Sequence, residues 1–197
     1  VCRRQRQMCI RDRIREMDYL KSQKIIHWIM AFLIILDLNI AQKFGGEMEL
    51  LDRLESRVDH ATVGTIITFL FVLRLALRYF YGAPNLPSTM PKWQIYAAHI
   101  GHYGLYTLMG LLMITGFISA SFASDPIIIF NNFNLAFADH NDNLFMLVRG
   151  VHEFCTNAII FLIIVHIVAA FYHHFIAKDR TTTVSYTHLR AHETDYY

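Results

Sequence analysis

The segment HEFCTNAIIFLIIVHIVAAFYHHF, residues 152–175, is apolar over most of its length and carries two histidines fourteen residues apart. Fourteen residues make almost four turns of an α-helix, a rise of about 21 Å, so His152 and His166 would share one helix face at two depths. A polar ring in an apolar membrane helix is costly and usually serves a function. The spacing therefore predicts one membrane-spanning helix that carries ligands for two separate cofactors.

The composition excludes several other classes of protein. Hydrophobic residues make up 54% of the 197-residue chain and the mean hydropathy is +0.31, which is typical of an integral membrane protein. The net charge of +2 gives no indication of nucleic-acid binding. The cysteines show no CxxC or zinc-finger spacing, so the sequence predicts neither a disulfide framework nor a thiolate metal site.

Four apolar stretches are each long enough to cross a bilayer, which takes about 20 helical residues. They are 25–44, 61–81, 95–122 and 152–176. Basic residues collect on one side of these spans, and acidic residues dominate the opposite loops. The basic set is Lys21, Lys24, Arg74, Arg78, Lys92, Lys178 and Arg180. Because positive loops face the cytoplasm, we expect an all-α integral membrane four-helix bundle with both termini cytoplasmic.

The two ends of the chain differ in composition from the apolar region between them. We interpret residues 19–181 as one four-helix transmembrane domain, and 1–18 and 182–197 as a leader and a tail that are not native to it. These ends resemble translated sequencing-adaptor read-through, with a genuine disordered tail as the alternative. Either interpretation excludes His188 and His192 from a site. The loop 123–150 carries apolar residues and is expected to lie on the periplasmic membrane surface.

The alternating direction of the spans places the histidines in two layers. His60 begins the second span and His152 begins the fourth, so both lie toward the periplasm, whereas His27 and His166 lie toward the cytoplasm. Neutral imidazole is a good iron ligand, and helix bundles build cofactor sites from side chains on facing helices. We therefore predict that each pair supplies the two axial ligands of one haem iron.

Further cations and histidines near the cytoplasmic end are secondary candidates. Arg74 and Arg78 suit haem propionates because guanidinium pairs well with carboxylate, although a plain positive-inside anchor is the alternative. His99 and His102 are rivals for the inner ligand positions, or contacts of a propionate or a quinone head group. His173 is a candidate donor to a quinone carbonyl, or an ordinary interfacial anchor.

Two polar residues fall outside this scheme. Asp37 lies in the first apolar span and is expected either to form a hydrogen bond beside Asn39 or to face a wet cavity. His140 lies in a polar loop and is expected only to be solvated.

Taken together, these motifs resemble the prokaryotic cytochrome b561 family. The resemblance covers about residues 19–181 and depends on the combined spacing rather than on any one motif. The matching elements are Ile26-His27-Trp28, His60 with Gly64, LRLALR at 73–78, AHIGH at 98–102, His152-Glu153, His166, and YHHF at 172–175 followed by Lys178-Asp179.

The resemblance implies an oxidoreductase of the bacterial cytoplasmic membrane with four helices and two b-type haems, which exchanges electrons with ubiquinone. The implied haem ligands are His27, His60, His152 and His166. One branch is similar to superoxide:quinone oxidoreductases, where the position of Arg149 helps attract the anion and that of His173 lies near the quinone. A related family anchors hydrogenases and other dehydrogenases, which would change the partner. A non-redox transporter or assembly protein, with histidines that bind protons or zinc, is the third alternative.

Overall fold

The structure is a computed structural model that describes residues 19–43, 49–84 and 90–178. Four long helices form most of it, which confirms the predicted all-α four-helix architecture. They are α1 (Lys21–Gln42), α2 (Leu50–Tyr81), α3 (Lys92–Ser121) and α4 (Asp142–Phe171). Each is long and apolar enough to cross a membrane. The predicted leader and tail lie outside the described residues, and the side of the membrane on which the termini lie stays a prediction.

Two helices begin well before their apolar stretches. α2 has 32 residues and begins at Leu50, and α4 begins at Asp142, so each precedes its predicted span by about three turns. At 1.5 Å per residue α2 is about 48 Å long, which exceeds the roughly 30 Å of bilayer hydrocarbon. Hydropathy marks only the part of a helix that crosses lipid. The prediction of a loop over 123–150 is therefore wrong for residues 142–150, which are helical.

The core of the bundle is apolar. Its buried members are Ile26, Met30, Ile67, Phe71, Met109 and Ile159. Large apolar side chains such as Phe32, Phe69 and Phe161 are exposed on the outward faces, as expected for helices that are solvated by lipid. α1 packs along α2 and α3 packs along α4, whereas α2 and α3 meet over a shorter length and leave an apolar groove beside Tyr106.

A short hairpin after α3 covers one end of the bundle. β1 (Ile128–Ile129) pairs antiparallel with β2 (Phe133–Asn134), and the turn between them has positive φ at Phe130 and Asn131. A second apolar cluster fixes this hairpin to α2 and α4: Ala123, Ile127 and Ile129 are buried against Val58, Ala61 and Phe145. Ile127 and Ile129 thus pack on protein, while Ile128, Phe130 and Phe133 are exposed. The predicted position of this segment on the membrane surface stays a prediction.

The far end of α4 changes its winding. A π-helical segment, Tyr172–Ala177, follows the α-helix, and Lys178 ends it in the left-handed conformation with φ 49°. Wider π turns often occur at functional positions because they redirect side chains. His173 and His174 lie in this segment, so their directions differ from those that a continuous α-helix would give.

Candidate functional site

The first candidate site lies where α2 and α4 face each other near the hairpin. His60 of α2 and His152 of α4 have ring centroids 6.2 Å apart, and their ring planes meet at 84°. Both residues are partly buried in the bundle. We call His60 and His152 the outer pair. The structure thus brings together the two histidines that the direction of the spans placed in one layer.

Both rings of the outer pair form a hydrogen bond through Nδ1. The Nδ1 of His60 lies 2.9 Å from Oδ1 of Asp37 on α1, and the Nδ1 of His152 lies 3.0 Å from Oγ1 of Thr115 on α3. The Thr115 hydroxyl donates to the carbonyl of Leu111 at 2.7 Å, so its oxygen can accept from His152. A ring that donates through Nδ1 carries its lone pair on Nε2, which is the tautomer that metal ligation through Nε2 needs. With these two partners, each of the four helices contributes one residue to the layer of the outer pair.

The second candidate site lies farther along α4, at a rise of about 21 Å from the first. His27 of α1 and His166 of α4 have ring centroids 6.4 Å apart, and their planes meet at 81°. We call His27 and His166 the inner pair. A third imidazole, His102 of α3, has its centroid 5.7 Å from that of His166. The guanidinium of Arg74 is close enough to act electrostatically on both rings of the inner pair.

The ring spacings in both pairs suit two imidazoles that share one metal ion. A metal–nitrogen bond to histidine is about 2.0 Å and the nitrogen lies about 1 Å from the ring centre, so two opposed rings have centres about 6 Å apart. The pairs, at 6.2 and 6.4 Å, match this spacing. Over 19–43, 49–84 and 90–178, no group of three or more His, Cys, Asp or Glu side chains could hold a metal ion. An ion between two imidazoles would therefore take its other ligands from a cofactor, as haem iron takes them from porphyrin, and the residues fit that group.

A glycine allows α3 to approach the outer pair closely. A Cβ atom on Gly116 would lie 3.2 Å from Cε1 of His152, which is tighter than side chains normally approach. At Gly64, a Cβ atom would lie 4.0 Å from Oδ2 of Asp37, an ordinary contact. The position of the His152 ring therefore depends on the absence of a side chain at Gly116.

Arg74 and Arg78, the predicted propionate partners, have protein contacts at the inner end. Nη1 of Arg74 donates to the backbone carbonyl of Gln23 at 3.3 Å, and Nη1 of Arg78 lies 3.4 Å from the Tyr19 hydroxyl. Arg78 also lies over the ring of Tyr106, with its guanidinium carbon 6.0 Å from the centroid. These contacts connect α2 to α1 and α3, and they occupy one nitrogen, Nη1, of each guanidinium. Their assignment to propionates stays a prediction.

The other predicted site residues lie nearer the ends of the helices. Of the two histidines on α3, His102 contacts the inner pair, while His99 stacks on Tyr103 with centroids 6.4 Å apart. His173 is half-buried at the start of the π-helical segment. Arg149 is exposed on α4, three residues before the outer pair begins. The roles that the sequence suggested for these residues stay predictions.

Sequence reasoning missed the two hydrogen-bond partners of the outer pair. Asp37 bonds to His60 rather than beside Asn39, whose amide instead donates to the carbonyl of Ile35 in its own helix. A carboxylate in an apolar span is costly unless it is paired, so its position was a signal that some partner exists. Thr115 gave no comparable signal because threonine in a helix commonly bonds to its own backbone.

His140 also differs from its expectation. The ring is exposed, but its Nδ1 and Nε2 each lie 2.8 Å from an acceptor, the carbonyl of Phe122 and Oδ1 of Asp142 respectively. Both ring nitrogens can donate at once only when the imidazole is protonated. The carbonyl of Phe122 and then the carboxylate of Asp142 therefore raise the pKa of His140 above its ordinary value. The residue links the end of α3 to the start of α4.

Known proteins resemble this chain in sequence. Residues 19–183 match the family model described as prokaryotic cytochrome b561. The chain is 29% identical over 166 residues to Cytochrome b561 homolog 1 of Escherichia coli (strain K12), covering 82% of this chain and 92% of that protein. It is 24% identical over 156 residues to a Yersinia pestis protein named probable superoxide oxidase CybB, covering 79% of this chain and 88% of that protein. The resemblance inferred from the sequence motifs is thereby confirmed.

Proposed function

The chain belongs to the prokaryotic cytochrome b561 family, and from this premise we propose that it is a di-haem cytochrome that transfers electrons from a periplasmic donor to ubiquinone. As a member of this family, it is a multi-pass protein of the bacterial cytoplasmic membrane that binds b-type haem and transfers electrons. The proposal adds the number of haems, their ligands, the donor and the acceptor.

The observation that carries the proposal is the presence of two imidazole pairs in separate layers of one bundle. The pairs have nearly equal ring separations, 6.2 and 6.4 Å. Their separation along α4, about 21 Å, is a large part of the roughly 30 Å hydrocarbon thickness. A redox centre near each membrane surface is what electron transfer across a bilayer requires.

We assign the outer pair and the inner pair as the residues that would hold the iron of two b-type haems. Haem bound there supplies one-electron chemistry, and the protein controls it through ligand type, hydrogen bonds and burial. For the inner haem we favour His27 over His102 as the partner of His166. The spacing and angle of the inner pair, 6.4 Å and 81°, reproduce those of the outer pair, whereas His102 and His166 are 5.7 Å apart at 65°.

Superoxide is the donor that we propose at the outer end. With both termini in the cytoplasm, the outer pair faces the periplasm, and Arg149 is exposed one turn before His152. An exposed cation raises the encounter rate of a small anion. One relative is named a probable superoxide oxidase, which supports the same donor. Each superoxide anion would lose one electron and leave as O₂.

Ubiquinone is the acceptor that we propose at the inner end. Reduction to ubiquinol takes two electrons, from two superoxide anions, and two protons. His102 contacts the inner pair, and His173 and His99 lie at the cytoplasmic ends of α4 and α3 in the proposed orientation. Imidazoles can donate a hydrogen bond to a quinone carbonyl and relay protons at near-neutral pH.

A spectroscopic and kinetic experiment on the purified chain tests this function. The reduced-minus-oxidised spectrum, together with the protein concentration, is expected to give two b-type haems per chain. Superoxide is expected to drive ubiquinone reduction, several-fold more slowly in Arg149→Gln and at nearly the full rate in Arg149→Lys, which keeps the charge. The rate is expected to fall with ionic strength, since exposed charges are screened. One haem per chain would refute the two-layer assignment, and an inactive chain that co-purifies with a large dehydrogenase would favour the anchor-subunit alternative.

A further inference from the structure

The carboxylate of Asp37 is the least expected group beside the outer pair. Asp37 lies between Leu36 and Leu38 in an apolar helix, and its side chain is 14% exposed. A charge in such surroundings is retained only when a partner compensates for its lost hydration. That partner is His60, whose Nδ1 lies 2.9 Å from Oδ1 of the carboxylate. The contact joins α1 to α2 on the side of the His60 ring opposite Nε2.

Ligation fixes the direction of this hydrogen bond. Iron can take the lone pair of Nε2 in His60 only when the ring proton is on Nδ1, and Asp37 is then the acceptor. A carboxylate that accepts this proton holds the ring in one orientation and increases its basicity. The stronger ligand and the nearby negative charge both stabilise ferric iron over ferrous iron. The physical consequence is a lower reduction potential.

The inner pair has the opposite electrostatic setting. Arg74 acts on both of its rings, and among the residues described by the structure no carboxylate is hydrogen-bonded to His27 or His166. A nearby cation favours the reduced, less positive iron and raises its potential. At the outer pair, Nδ1 of His152 lies 3.0 Å from the neutral hydroxyl of Thr115, where Nδ1 of His60 has a carboxylate. Arg149 also acts on His152, but it is exposed on α4, so the part-buried carboxylate of Asp37 is the charged group in direct hydrogen-bond contact with the outer pair.

We propose that Asp37 is a positioning residue that acts through His60 and sets the potential of the outer haem below that of the inner haem. Electron transfer from the periplasmic layer to the cytoplasmic layer is then thermodynamically downhill. This inference depends on the proposed di-haem function, because it names the residue that gives that function its direction.

Potentiometric titration of the two haems in the purified chain provides the test. His60→Ala is expected to remove the outer haem, so the component that survives identifies the inner one. Asp37→Asn keeps the shape of the side chain and removes its charge, and it is expected to change the reduction equilibrium of the outer haem at least tenfold. That change is an increase of about 59 mV in its midpoint potential for one electron. The inner haem is expected to keep its potential.

Two further variants separate charge from packing. Asn39→Ala is the matched control on α1, because that amide donates to the carbonyl of Ile35 in its own helix, and neither potential is expected to change. Thr115→Val removes the neutral acceptor of His152 and is expected to shift the outer haem less than Asp37→Asn does. The electron paramagnetic resonance spectrum of Asp37→Asn is expected to change in only one of its two low-spin ferric signals.

The failures of the two proposals are distinguishable. If His60→Ala removes no particular haem, the di-haem assignment is wrong and the role of Asp37 falls with it. If His60→Ala removes one haem, but Asp37→Asn binds both haems with unchanged potentials, only the inference about Asp37 is overturned. A further test needs no Asp37 variant, because it compares the two haem potentials of the unmodified chain. The haem that His60→Ala loses must be the one with the lower potential, and the reverse order overturns the inference.

Discussion

The outer pair and the inner pair share a ring geometry but differ in what surrounds the rings. Each outer ring is hydrogen-bonded through Nδ1 to a side chain from another helix, Asp37 or Thr115. The inner rings lie instead beside a third imidazole, His102, and an arginine. A packed hairpin covers the outer end, whereas the inner end of α4 finishes in a π-helical segment.

Ligand spacing and ligand environment are therefore separable properties of the bundle. The spacing follows from the backbone, because helices α1, α2 and α4 hold each pair of rings at the separation one iron needs. The environment follows from single side chains on neighbouring helices. For the proposed function, a fixed orientation and a carboxylate suit one-electron transfer at the outer pair, and an additional imidazole beside the inner pair suits proton delivery to a quinone.

Replacing a ligand is expected to change the haem content of the two layers more than any other substitution. His152→Ala should abolish the outer haem and spare the inner one, and His27→Ala should do the reverse, because each iron would lose one of its two axial imidazoles. His102→Ala should retain both haems, since its ring neighbours the inner pair without belonging to it. Haem stoichiometry and difference spectra of the purified variants check this. Loss of the inner haem in His102→Ala, with His27→Ala intact, would reassign the inner ligand.

Much of this arrangement could be predicted from the sequence because it depends on helical periodicity. The fourteen-residue interval between His152 and His166, with the alternating direction of the spans, was enough to pair the four histidines by depth. The bond between Asp37 and His60 could not be derived in this way. It depends on the rotation of α1 relative to α2. Apolar packing determines this rotation, and no sequence motif predicts it.

The ends of the helices were also beyond prediction, for a different reason. The first three turns of α2 and of α4 include charged residues such as Asp52, Arg53, Asp142 and Arg149, and hydropathy identifies only the segment that lipid surrounds. The burial of Ile127 and Ile129, at the start of the hairpin, depends on contacts with Val58 and Phe145, which are distant in sequence. Local pattern carries no information about such contacts.

A core substitution midway between the layers is expected to affect both ends equally. Ile159 lies seven residues from each of His152 and His166 and is 2% exposed. Ile159→Ala should leave a cavity and lower the free energy of unfolding by roughly 2 kcal/mol. Thermal unfolding followed in the absorption of both haems should show one lower midpoint for the two. Selective loss of one haem would mean that the layers unfold independently.

A smaller effect, confined to the outer end, is expected from Gly116→Ala. The new methyl group would lie 3.2 Å from Cε1 of His152, so either the ring or α3 must move by a few tenths of an ångström. We expect a few-fold faster loss of the outer haem on dilution, with the inner haem unchanged. Gly64→Ala is the matched control, because its methyl group would make only an ordinary contact with Asp37. Equal effects of the two substitutions would show that crowding at His152 is not the cause.

The smallest expected effect is a pH dependence of the outer end through His140. The carbonyl of Phe122 and the carboxylate of Asp142 raise the pKa of His140 in the folded state. The protonated ring therefore stabilises the fold more than the neutral ring does. The resulting stabilisation is complete below the ordinary histidine pKa of about 6.5 and is lost as the pH rises through the raised value. Hydrogen exchange over residues 123–141, corrected for its intrinsic pH dependence, should therefore become faster above neutral pH. His140→Gln should flatten this profile without changing exchange near the inner pair, and an unaltered profile in that variant would assign the effect to another group.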